Sequence, residues 1–135
     1  NQSQIHPIDN ISAVVTPQMV TDMQDTVKSV YSDNLIKEYI VKIVAQTRNM
    51  LELNLGSSPR GSIALHRASQ ALALLRGRDY VLPDDVKHLA PSVLSHRLIP
   101  SPSSRMNGLK PEQIIEDLVK TIPIPGEKSQ NWLRR

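Results

Sequence analysis

The chain has 135 residues, enough for one domain with a modest core. Aromatic residues make up 3% and Phe is absent, so the core must be assembled from Leu, Ile, Val, Ala and Met, and the absence of cysteine excludes disulfides, iron–sulfur clusters and cysteine–zinc sites. The net charge of +3 permits an anionic partner, but the cations are not gathered into the block that a nucleic-acid footprint needs. No apolar run approaches the roughly 20 residues that span a bilayer, so no membrane role is expected. A chain free of cysteine suits the cytoplasm, which is the expected compartment. It opens on Asn1 rather than Met and is expected to be a piece of a longer protein.

Residues 1–15 read as an extended connector, in which His6-Pro7 disfavours helix. Thr16-Pro17 is a helix start, with a hydroxyl N-cap and proline at the first helical position, and Val20, Met23, Val27 and Val30 follow at helical spacing. Ser32, Asp33 or Asn34 caps a second helix with the stripe Leu35, Ile36, Tyr39, Ile40, Ile43, Val44 and Thr47. A loop from Met50 to Ser57 leads to Ser58-Pro59, the same cap-plus-proline signal, and a helix running to Arg76 with Gly77 as its stop. Its expected buried stripe is Ile63, Ala64, Ala68, Ala71, Leu72 and Leu75.

After the extended link Asp79-Tyr80-Val81, Pro83 starts a fourth helix. Asp84 and Asp85 lie in its first turn, where carboxylates complement the helix dipole, and that bland role outweighs an acid/base pair. Val86, Leu89, Ala90, Val93 and Leu94 form its stripe, and Pro91 is expected to break or kink it. Leu98 to Arg105 reads as loop with a short strand at its start. A last helix begins near Pro111 with Ile114, Ile115, Leu118, Val119 and Ile122. Residues 123–135 form a polar tail in which Trp132 is isolated. The sum is an all-α bundle of about five helices, with no strand set able to form a sheet of any size.

Gly56 and Gly61 have the separation of a phosphate loop, but Ser62 and Ile63 stand where Lys and a hydroxyl residue are required, and Pro59 removes an amide from the cradle. That reading fails. Pro59 instead opens a helix and puts Arg60 in its first turn, leaning over a mouth whose free amides favour an anion. Arginine suits bidentate phosphate contact, although on the residues alone an unpartnered surface arginine is the simpler reading. Arg67 lies two turns along the same face and is expected to cover apolar surface with its stem. His6, His66, His88 and His96 lack metal-motif spacing, and no nucleophile signature is present.

Tyr39 to Ile99 resembles the C-terminal part of MoxR-family AAA+ ATPases, most tellingly in LGSSPRGSIALHRASQALALLRGRDYV and PDDVKHLAPSVLSHR. Weaker similarity covers HPIDNISAVVTPQMV and the Leu109–Pro125 segment. The resemblance implies an AAA+ lid over residues 16–122, joined by the 1–15 connector to an α/β core that is absent from this sequence. It matches Arg60 to the sensor-2 position that approaches the ATP γ-phosphate, with Ser58, Pro59 and Gly61 supporting it. ATP and Mg would be held by the longer parent and not by this segment, which lacks the phosphate loop, the acidic pair and the arginine finger. The segment alone is therefore expected to be no enzyme, and the parent an ATPase.

Implied partners are the core of the same chain, ring-forming neighbour subunits and a protein with a von Willebrand factor A domain, in a chaperone-like motor that matures or activates client complexes. Leu82 and Lys110 depart from the hydroxyl caps that the family pattern carries before its last two long helices. The competing reading is a freestanding helical nucleic-acid-binding module, which would show a steep salt dependence.

Overall fold

A computed structural model describes residues 11–124 and Gly126. His6-Pro7, Trp132 and most of the expected connector and tail lie outside the described residues. Six helices follow in order: α1 (Pro17–Ser29), α2 (Asn34–Gln46), α3 (Pro59–Leu75), α4 (Pro83–Leu94), α5 (Pro102–Met106) and α6 (Pro111–Thr121). Two short strands, β1 (Leu53–Leu55) and β2 (Ile99–Pro100), pair antiparallel, so the expectation of an all-α bundle holds with a minimal sheet added.

Proline occupies the first helical turn of α1, α3, α4, α5 and α6, because its missing N–H is an orphan there and its φ is already helical. Thr16 caps α1 by accepting the Met19 N–H at 3.2 Å, and Asp33 caps α2 by accepting from Leu35 at 2.8 Å. Gly77, with φ at 71°, ends α3 as expected. Its N–H bonds the Leu74 carbonyl at 2.9 Å, and Arg78 N–H reaches Ala73 at 2.9 Å, satisfying carbonyls that the helix leaves open. The helix α5 was not foreseen. Ser101-Pro102 carries the same cap signal, and the Ser101 hydroxyl accepts the Ser104 N–H at 3.3 Å, but the helix is too short to show an apolar period.

The core lies where α2, α3, α4 and α6 meet, and Ile40, Ile43, Val44, Leu65, Val86, Ala90, Leu94 and Ile115 are its buried centre. The stripes of α2 and α6 are as expected, except that Leu35 is half exposed. That of α3 is not. Its buried row is Gly61, Leu65, Ser69 and Ala73, at four-residue spacing, with Gln70 beside it. Ile63 and Leu75 stand 65% and 79% exposed.

Apolar residues surround α3, so their pattern does not choose a face. Close packing against α4 and α2 chooses the row of small residues instead. Ser69 is tolerated there because its hydroxyl bonds back to the Leu65 carbonyl at 2.8 Å. The helix α1 buries no residue, and Val20 and Met23 remain exposed. Pro91 does not break α4, which continues to Leu94 before a 3-10 turn over Ser95–Arg97. Proline removes one amide from the ladder, and the helix persists because its Val86, Ala90 and Leu94 face is fixed in the core.

Asp85 does more than complement a dipole. It is fully buried at the start of α4 and accepts from Leu82 N–H at 2.9 Å, from Arg76 at 2.9 Å, and from Arg78 at 2.9 and 2.7 Å. One carboxylate therefore ties the end of α3 to the start of α4 and satisfies the N–H of Leu82, the residue before the helix. Burial pushes the Asp85 carboxyl up. The Arg78 hydrogen bonds, the Leu82 amide and the charges of Arg78 and Arg76 outweigh it, so the carboxyl is held below the usual aspartate value.

Asp85→Ala should cost about 2–3 kcal/mol in urea unfolding, below the usual figure for a broken buried pair because both arginines reach water. A depressed carboxyl contributes stability at neutral pH that is lost as pH falls below about 4. The wild-type chain should therefore lose stability more steeply in acid than Asp85→Asn does.

Candidate functional site

The start of α3 is placed by the turn that ends α2. Thr47, in the 3-10 turn Thr47–Asn49, is fully buried. Its hydroxyl donates to the Val44 carbonyl at 2.7 Å and accepts the Ser57 N–H at 2.9 Å. The Arg48 guanidinium donates to the Ser57 carbonyl at 3.3 Å. Gly56 passes so close to this turn that an added Cβ would stand 2.6 Å from the carbonyl carbon and oxygen of Thr47 and 2.7 Å from Arg48 N. These are backbone atoms that cannot swing aside. Gly61 is also closely approached, though by side chains: a Cβ there would collide with the Ser57 hydroxyl and press on Leu94 at 3.1 Å. Residues 56 and 57 are thus held against α2, and Gly61 is held against α4.

Pro59 and Arg60 stand between those anchors. Arg60 lies in the first turn of α3, is exposed, and makes no hydrogen bond or ion pair among the described residues. The Ser58 backbone is extended, as a cap requires, but its hydroxyl accepts no amide of the first turn, so the expected side-chain cap is not formed. No acidic residue occupies that turn either. The mouth of α3 therefore presents one guanidinium beside amides that no side chain covers, an arrangement suited to an anion. Ile63 and Arg67 continue the same exposed face toward the middle of the helix.

The expected site residues Ser58, Pro59, Arg60 and Gly61 are consecutive and form the N-cap position and first turn of α3. It missed Thr47, Arg48 and Ser57, and it weighed Gly56 only as part of a failed phosphate loop. A buried threonine ending a helix ten residues before a small buried serine was the available signal, but it becomes legible only once the two segments are in contact.

Residues 45–118 match the family model of the AAA lid domain. The chain belongs to that family. Chaperone MoxR1 of Mycobacterium tuberculosis is 32% identical over 112 residues, which is 76% of this chain and 30% of MoxR1. The uncharacterized protein YeaC of Bacillus subtilis is 42% identical over 128 residues, covering 95% of this chain and 40% of YeaC. Among solved structures, an ATPase candidate from Cytophaga hutchinsonii superposes with a TM-score of 0.78 at 28% identity, covering 87% of this chain and 40% of that one. This is a lid region of the MoxR type, and it spans two fifths or less of these relatives.

The Gly56 contact leads to a prediction about the lid alone. Gly56→Ala has to push the Thr47 turn away from α3, and overpacking of this kind costs about 1–3 kcal/mol. Gly108 has φ at 70° but open space around it, so Gly108→Ala meets only backbone strain. In urea unfolding Gly56→Ala should be the more damaging of the two.

Proposed function

We propose that this chain is the nucleotide-sensing lid of an AAA+ ATPase and that Arg60 is its sensor-2 residue, contacting the γ-phosphate of ATP held by the core of the longer parent. The observation that carries the reading is the exposed Arg60 at an uncapped helix mouth, braced from α2 and from α4. Residues 16–122 form the lid in this reading, 1–15 connect it to the core, and 123–135 are a tail. ATP and Mg belong to the parent, whose reaction is the hydrolysis of ATP to ADP and phosphate.

A planar guanidinium can hold two phosphate oxygens at once, and each charge-assisted bond is worth about 1.5–3 kcal/mol. The contact exists only while the third phosphate is present, so ATP and ADP favour different lid positions, and binding becomes motion. The similarity to Chaperone MoxR1 supports a chaperone-like role for the parent; a cytoplasmic motor that matures or activates client complexes is our extension of that role. Neighbouring subunits of a ring and a protein with a von Willebrand factor A domain are its proposed partners.

The test is steady-state hydrolysis by the full-length parent. Arg60→Ala should slow turnover by roughly tenfold to a hundredfold. Arg60→Lys should restore only part of it, because the charge returns without the fork. Melting of the lid should be unchanged, since Arg60 supports no core. Wild-type turnover with an unchanged preference for ATP over ADP in the alanine variant would sink the sensor assignment, and a collapse in melting temperature would make Arg60 structural.

A further inference from the structure

Two consecutive residues of the 3-10 turn grip Ser57, one on each side of its Cα. The Thr47 hydroxyl takes the Ser57 N–H at 2.9 Å, and Nη1 of Arg48 donates to the Ser57 carbonyl at 3.3 Å. The two residues differ in kind. Thr47 is fully buried and belongs to the packing of the turn, whereas Arg48 is exposed. No carboxylate pairs with Arg48 among the described residues, and the Ser57 carbonyl is the one partner of its side chain there. An exposed arginine bonded to a backbone carbonyl adds little to the fold, so the use of Arg48 lies in what that carbonyl controls.

It controls the direction of the α3 mouth. The carbonyl belongs to the Ser57–Ser58 peptide, which is a rigid plane. Ser58 comes next, and a residue before proline is confined to extended backbone, here with φ at −74° and ψ at 166°. Pro59 follows with its φ locked by the ring, and Arg60 is already inside the helix. Few free torsions therefore separate the plane that Arg48 grips from the backbone of Arg60. Thr47 grips the plane before Ser57, so on its own it leaves the two torsions of Ser57 open. A tilt at the Ser57 carbonyl passes to Arg60 with little loss.

We propose that Arg48 is a positioning residue for Arg60. It touches no phosphate itself, and its bond to the Ser57 carbonyl sets the pose in which Arg60 meets the nucleotide. This role rests on the sensor reading of Arg60. Direct contact with phosphate is the rival role for an exposed cation so near a helix mouth. The geometry favours positioning, because the Arg48 guanidinium is bonded to the chain whereas that of Arg60 has no partner among the described residues.

A double-mutant cycle in the full-length parent tests this. Arg48→Ala should slow steady-state hydrolysis by about three- to tenfold and lower the preference for ATP over ADP. In an Arg60→Ala background the same change should have no further effect, because the residue it positions is gone. Arg48→Lys should restore most of the turnover, since an ammonium also donates to a carbonyl. In the 135-residue chain, Arg48→Ala should shift the amide resonances of Ser57, Ser58 and Arg60 and leave the urea midpoint unchanged. Wild-type turnover in Arg48→Ala, beside a slow Arg60→Ala, would overturn the positioning role alone. So would effects that multiply when the two changes are combined, which would make Arg48 a second phosphate contact. A collapsed urea midpoint would also overturn it and make Arg48 a residue of the fold. Wild-type turnover in Arg60→Ala overturns the sensor reading first, and positioning with it.

Discussion

Thr47 is fully buried at the end of α2, and its single hydroxyl serves two backbone groups, the Val44 carbonyl behind it and the Ser57 amide in front. That pair of bonds works only because Gly56 has no side chain to hold the two segments apart. From this contact the rest of the α3 start follows. Ser57 is fixed, Gly61 settles against its hydroxyl and against Leu94, and the turn between them, with Pro59 and Arg60, has little freedom. A residue proposed to read a phosphate must be held in place without being used up by its neighbours. Arg60 meets both conditions, since its backbone is locked and its guanidinium is free among the described residues.

The other end of α3 is secured by different chemistry. Asp85 gathers Arg76, Arg78 and the Leu82 amide, while Arg78 also lies 5.8 Å from the centre of the Tyr80 ring. Tyr31 and Tyr80 form a parallel bridge that joins the link before α2 to the link before α4. The helices α3 and α4 are therefore tied at both ends and packed along the Gly61, Leu65, Ser69 and Ala73 row. A pull on the Arg60 end would move the pair as one body, as hinge or shear motions require. The helix α1, which buries nothing and exposes Met19, Val20 and Met23, packs against α3, and its C-cap Val30 is buried in the core and bonded by Gln70.

Local chemistry was legible in the sequence, and long-range chemistry was not. The starts of α1, α3, α4 and α6 could be read because proline at the first helical position acts within one turn, as does the Thr16 cap of α1. Gly77 could be read because a positive φ is a property of one residue. The buried face of α3 could not, since Ile63, Ala64, Leu65, Leu72 and Leu75 offer apolar side chains in several directions and only the neighbouring helices decide between them. Asp85 looked like an ordinary first-turn acid because its two arginines lie across a turn. Thr47 looked like the last position of an apolar stripe because its partner Ser57 is brought back by β1 and the Gly56 turn. Arg60 stands exposed in the first turn of α3, as Pro59 at the helix start implies, but the contacts that brace the segments on either side of it are visible only in three dimensions.

The most direct measurement is the distance between the Arg60 guanidinium and the nucleotide in structures of the full-length parent, one with a non-hydrolysable ATP analogue and one with ADP. Guanidinium nitrogens at hydrogen-bond distance, about 2.7–3.2 Å, from γ-phosphate oxygens in the first and released in the second are the predicted result. An Arg60 that faces solvent in both, or that holds the same partner in both, would contradict the account.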